Sequence, residues 1–279
     1  EKLRRRRPES LGAYEIAVRA WVKEGEAHIK ADRALRDEAI GDARAALAID
    51  ARSTLALNAL AFAQYQHILL GTAADPESAW REGMDAATRA VEVDQSDSTG
   101  YASKGRLLAY ASDRNRIDEA LANARQGHEL NPHNMFSLNV LAHVENLAGN
   151  PESAIEHLHQ ALRLSPRDPM RYLLHVQQAW ASVFSGHYAN GVNYALLGIG
   201  GAPGYPILHT LLAIGYVGLG EIGKAKAALD EARRLGPEYV ERRLAGGFPY
   251  RKPEHYQRAT TFLRIAAGLE DPSAAEGLR

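Results

Sequence analysis

Helix-ending signals recur along this chain at nearly fixed intervals, and that regularity limits the folds open to it. "GNPESAIEHLHQALRLSP" (149–166) reads as one amphipathic helix closed by Leu-Ser-Pro. Leu-Asn-Pro at 130–132 and Leu-Gly-Pro at 235–237 close others in the same way. Proline cannot continue a helix, so each is a stop. Taking Pro132, Pro166, Pro203 and Pro237 as markers gives steps of 34, 37 and 34 residues, and the register extends back to Gln95 and Ala51. The two earlier steps are longer, 37 and 44, and a nearly constant step of this length marks a structural repeat.

Each unit has the same internal layout. Small residues stand at three helical positions before the marker, as in Ala120, Ala124 and Gly127, or Gly83, Ala87 and Ala90. Such a face lets a second helix approach closely. Larger apolar residues occupy the first half of the unit, for example Leu138, Leu141 and Ala142. Glycine breaks the halves at Gly149, Gly186 and Gly220. The unit is therefore helix, glycine turn, helix and stop. Neither helix can bury its apolar face alone, so successive units must stack. An aromatic content of 7% with abundant Ala, Leu, Arg and Glu suits an all-α chain.

This layout resembles the tetratricopeptide repeat. The resemblance implies an all-α right-handed superhelix of about six helix-turn-helix units, the first degenerate and the second carrying an insertion around "LLGTAADPESAW" (69–80). The expected organisation is a basic linker over 1–10, the array over 11–240, and a tail over 241–279. In the tail "EHYQRATTFLRIAAG" forms a helix that caps the last apolar face. A narrower likeness rests on "RRRRPESLGAYEIAVRAW", "GTAADPESAW", "LSPRDP" and "GGFPYRKPEHYQR". These are similar to the tetratricopeptide region that ends many bacterial class III adenylate/guanylate cyclase-like proteins. Related proteins carry a winged-helix DNA-binding domain in place of the cyclase, and a stand-alone scaffold is a further alternative. Glu1 in the first position, where methionine would stand, leads to the expectation of a piece of a longer protein.

In repeats of this type the first helix of each unit lines the concave surface. Carrying those positions over marks Asn58, Phe62 and Tyr65 in the second unit and Arg106 in the third. Phe136, Asn139, His143 and Asn146 follow from the fourth, and Trp180 from the fifth. Amides can hold a peptide backbone while aromatic rings accept its side chains. The expected partner is a mainly neutral peptide or helix.

No constellation for catalysis is legible. "GLGEIGKA" (218–225) matches part of a phosphate-binding loop, but Ala225 stands at the hydroxyl position and the run follows a helix rather than a strand. Among the eleven histidines, His157 and His159 point to different sides of a helix, and no H-E-x-x-H occurs. There is no cysteine and no G-x-S-x-G. The expectations are no enzyme activity, no metal and no cofactor in this chain, and a cytoplasmic setting. A net charge of −1 argues against a nucleic-acid surface, and the one basic run, "KLRRRRP" (2–8), reads as a linker.

One absence stands out. The 49 residues between Arg171 and Glu221 contain no Asp, Glu, Lys or Arg. Pro203 and Pro206 interrupt its most apolar part, which falls short of the ~20 residues of a membrane span. A repeat helix normally shows charge on its outer face. Two readings stay open: Gln177, Gln178, Asn190 and Asn193 supply enough polarity, or this face is covered. In the second, Phe184, Tyr188 and Tyr194 mark where a second copy, a partner or another domain docks.

Overall fold

The computed structural model describes residues 8–111, 116–164, 166 and 169–278; the basic run ahead of Pro8 lies outside them. The described residues are helical, with no strand among them. They form six consecutive helical hairpins. The pairs are α1 (Pro8–Lys30) with α2 (Arg33–Ile49), α3 (Thr54–Leu70) with α4 (Pro76–Val93), and α5 (Ser98–Leu108) with α6 (Ile117–Leu130). Then come α7 (Met135–Ala148) with α8 (Pro151–Leu164), α9 (Tyr172–Phe184) with α10 (Tyr188–Gly201), and α11 (Pro206–Gly218) with α12 (Ile222–Leu235). Two further helices follow, α13 (Pro237–Leu244) and α14 (Pro253–Ala266).

Local chemistry sets these boundaries. Asp32, Ser53, Asp75, Asp97 and Asn134 precede α2, α3, α4, α5 and α7, and each side chain accepts a first-turn backbone N–H. That satisfies donors with no partner inside the helix. Gly149 ends α7 with φ of 86°, a left-handed conformation that glycine adopts without a Cβ penalty. The charge-free stretch becomes α9, α10 and α11. Among the described residues no helix is long and apolar enough to cross a membrane.

The odd-numbered helices α1 to α11 contact one another in sequence and form the inner layer, while each packs an even-numbered helix outside it. Burial follows. Every residue from Ala56 to Leu70 in α3 and from Ser137 to Ala148 in α7 is buried. The outer helices bury mainly their small stripe: Ala39, Ala43 and Ala46 in α2, and Ala120, Ala124 and Gly127 in α6. Gly105 shows how tight the contact is, since a Cβ there would lie 2.8 Å from both Ala120 O and Ala124 N.

The C-terminal segment reaches far beyond the last hairpin. α14 packs on α11 and α12. Ahead of it, 247–250 runs without regular structure across the inner layer, with Phe248 and Tyr250 each 1% exposed. Arg251 N–H donates to Leu147 O at 2.9 Å and Lys252 Nζ to Gly149 O at 2.8 Å, both at the end of α7. Arg242 donates to Ile68 O at 2.7 Å and to Leu69 O, closing the end of α3. The final part of the chain thus binds backbone carbonyls where two inner helices stop.

Candidate functional site: the concave face

All nine residues marked for the groove lie on the inner helices, and eight of them are buried; Phe136 is half-buried. Asn58 Nδ2 donates to Asp97 Oδ2 at 2.7 Å, and Asn146 Nδ2 to Gln177 O at 3.1 Å, so both amides tie neighbouring inner helices together. Phe62, Tyr65 and Phe136 surround the Arg106 guanidinium, their ring centres 4.8, 4.4 and 4.6 Å from its carbon. Three ring faces on one cation provide attraction in a desolvated setting. His143 sits beside this cage. Its Nε2 lies 3.2 Å from Tyr65 Oη and 3.3 Å from Tyr110 Oη, and its Nδ1 lies 3.1 Å from Gln177 Oε1. The arrangement fits a neutral ring that donates through Nδ1 and accepts at Nε2. Burial pushes its pKa down to about 3.

The groove divides into a narrow part and a wider part. Tyr65, Arg106, Asn139, His143, Asn146 and Trp180 border a narrow cavity of 20 Å³, completed by Tyr205, Arg243, Pro249 and Tyr250. Trp180 stacks on Phe184 at 5.3 Å and meets Tyr250 edge-on at 5.5 Å. The chain's own C-terminal segment therefore occupies the inner end of the groove. Phe62, Phe136 and Asn139 also border an open cleft of 230 Å³, completed by Trp21, Val22, Gly25, Met135, Met170 and Leu173. No charged side chain lines it. Asn58 borders neither space.

Helix α1 supplies one wall of the open cleft, which the repeat register did not reveal. The Trp21 ring lies 6.0 Å from Phe62 and 6.1 Å from Phe136. Beyond it Leu11, Tyr14, Val18 and Val22 are exposed by 42, 42, 36 and 61%. Their spacing of three, four and four residues puts them on one helix face. That pattern was readable in the sequence, but the first unit departs from the repeat and carried over no groove positions.

Phe184 and Tyr188 are covered by this chain itself. The Phe184 ring lies 4.6 Å from Tyr250 and 5.3 Å from His255, and Arg258 Nη1 donates to its carbonyl at 3.0 Å. Tyr188 packs on Phe262 at 5.8 Å and its O–H reaches Leu278 O at 3.4 Å. Tyr194 is half-buried against His175. Farther out on α10, Leu196 and Leu197 are 47 and 57% exposed.

Other concentrations of polar groups are internally matched. A 370 Å³ concavity near α2 and α4 holds Arg44 paired with Glu82 at 2.8 Å and His67 with Asp37 at 3.0 Å. His157 binds Glu145 at 2.9 Å, with the His128 ring 5.6 Å away. Among the described residues no three His, Cys, Asp or Glu side chains are grouped to hold a metal ion. The "GLGEIGKA" run is the turn from α11 into α12, with Gly220 at φ of 79°.

No family model and no curated protein matches the sequence. Solved structures do. A chain of the APC/C hetero-tetramer Cut9–Hcn1 superposes with a TM-score of 0.58 at 16% identity, over 83% of this chain and 39% of that one. This protein thus spans 39% of that relative's length. PilW, a widely conserved type IV pilus biogenesis factor, gives 0.51 at 14% identity, over 78% of this chain and 92% of that one. A tetratricopeptide repeat protein from Parabacteroides merdae gives 0.46 at 14% identity, covering 96% and 93%. At such identities the likeness concerns the fold. The chain is an all-α superhelix of the tetratricopeptide type.

Proposed function

We propose that this chain is a non-catalytic protein-interaction module. Residues 11–240 would form the array and 241–279 a tail that closes its inner end. The observation that supports this most directly is the open, uncharged cleft walled by Trp21, Phe62, Met135, Phe136 and Met170. It runs into the exposed apolar stripe of α1, with Val22 common to both. Arg19, Glu15 and Glu26 stand exposed beside that stripe, giving an apolar centre with a polar rim. From Leu11 to Val22 the stripe is about 16 Å long, three turns of helix. The occupant that suits it is an amphipathic helix of a partner protein. Its apolar face would lie along α1, and one large side chain would enter the cleft.

The segments quoted above support placing this module at the carboxyl end of a multidomain, cytoplasmic, bacterial class III adenylate/guanylate cyclase-like signalling protein. There it would regulate or recruit rather than catalyse. Two experiments test the reading. A partner segment mapped by crosslinking in the native cell is titrated against wild type and Val22→Asp. Val22 is exposed, so the fold is expected to survive, and binding should weaken at least tenfold. Unchanged affinity rules out the cleft. Sequencing the gene upstream of Glu1 tests the parent: metal-binding aspartates of a cyclase support it, and a winged helix refutes it.

A further inference from the structure

The interior of the superhelix holds more buried positive than negative charge. Arg36, Arg106 and Arg243 are 0, 3 and 2% exposed. Glu24, fully buried, accepts from Arg36 Nε at 3.2 Å. The other buried carboxylate among the described residues, Glu145, is bound by Ser153 and His157 on the α8 side. Glu24 also attracts Arg106 across the interior, but its hydrogen bond goes to Arg36, and no carboxylate binds Arg106 or Arg243 directly. Burying such a cation is costly unless a counter-charge accompanies it.

Ring faces meet part of that cost. The three rings around Arg106 have been described, and Arg243 lies 4.8 Å from the Tyr239 ring centre and 4.9 Å from that of Phe248. A ring face does not accept an in-plane N–H, however. Arg106 Nε and Nη2 have no acceptor, and neither has Arg243 Nε. Both side chains border the narrow 20 Å³ cavity, along with Tyr250, whose hydroxyl is also unpartnered. No Asp or Glu borders it. These residues come from α5, α13 and the segment that follows α13, so tertiary packing brings them to one cavity. The space suits one particle of about the size of a water molecule, which excludes phosphate and organic acids. Water would satisfy the N–H groups but would leave the charge.

We propose that this cavity is a binding site for a small monovalent inorganic anion of halide size, held by Arg106, Arg243 and the Tyr250 hydroxyl. The anion fastens the C-terminal segment to the inner face of the array. Thermal unfolding of the full chain in sodium bromide or chloride, against sodium gluconate at equal ionic strength, reads it directly. A halide at ten times its dissociation constant favours the folded state about elevenfold, a rise in Tm of about 3–5 °C that saturates with concentration. Arg106→Gln should remove the halide dependence. Equal Tm in all three salts overturns the proposal, as does a rise that persists in both Arg106→Gln and Arg243→Gln. If those variants do not fold, anomalous diffraction from wild-type crystals grown in bromide decides. A bromide peak beside Arg106 and Arg243 supports the site, and its absence at saturating bromide refutes it.

Discussion

Substituting alanine for glycine should have opposite effects at Gly105 and at Gly41, although both lie inside helices. Alanine gains about 0.5–1 kcal/mol over glycine in a helix interior, because the unfolded chain has less freedom to lose. At Gly41 in α2 nothing stands within 4 Å of an added Cβ, so that gain should appear undiminished. At Gly105 the same Cβ would lie 2.8 Å from two backbone atoms of α6, Ala120 O and Ala124 N. Backbone cannot swing aside as a side-chain tip can. Helices α5 and α6 would have to part by roughly half an ångström, forfeiting about a quarter of the dispersion attraction of each contact along the seam. Overpacking of this kind costs about 1–3 kcal/mol, which exceeds the propensity gain. Gly105→Ala should therefore be destabilised by about 1–2 kcal/mol and lose roughly 2–8 °C in Tm, while Gly41→Ala gains about 1–4 °C. Circular dichroism at 222 nm through thermal and urea unfolding measures both. If Gly105→Ala is stabilised as much as Gly41→Ala, the close approach of α5 and α6 is wrong, and with it the packing rule used for every hairpin.

Tyr250→Ala should cost about 3 kcal/mol as a fully buried aromatic, and should shift tryptophan emission to the red as water reaches Trp180; unshifted emission would deny that this segment closes the groove. Stability should fall with acid through His143, because its folded pKa of about 3 lies below the usual 6.5. Its contribution is complete above pH 6.5 and is lost as pH drops, by about 1.4 kcal/mol per unit. Buried His28, whose pKa burial also lowers, acts in the same sense; Glu24, raised to about 7 by burial, acts in the opposite one. The informative quantity is thus the difference between wild type and His143→Gln from pH 6.5 to 4.5, and a flat difference would refute the burial argument. Asn134→Ala removes the cap on Phe136 N–H and the bond from Nδ2 to Ser98 Oγ at 2.8 Å. It should lower the urea-derived stability by about 1–2 kcal/mol, and no loss would mean the cap is unimportant.

Read alone, the sequence determined the hairpins and their order. Stops at Pro132, Pro166, Pro203 and Pro237, the Gly149, Gly186 and Gly220 turns, and stripes such as Ala120-Ala124-Gly127 act within a few residues of themselves. Helix periodicity and backbone sterics are local, so they are legible in a linear chain. That the marked residues would share the inner helices was legible for the same reason, since each holds a fixed place in its unit.

Tertiary structure decided what those residues face. Nothing local in Phe248, Tyr250 or Arg251 indicates that they lie against helices of much earlier hairpins, at Trp180, Phe184 and Leu147. Nor does anything near Arg106 announce that three rings from two other helices enclose it. Trp21 became a wall of the open cleft because α1 lies against α3, a contact unmarked by the degenerate first unit. Burial of this kind depends on which surfaces meet after the hairpins stack. It is a sum over distant partners, and the repeat period carries no record of it.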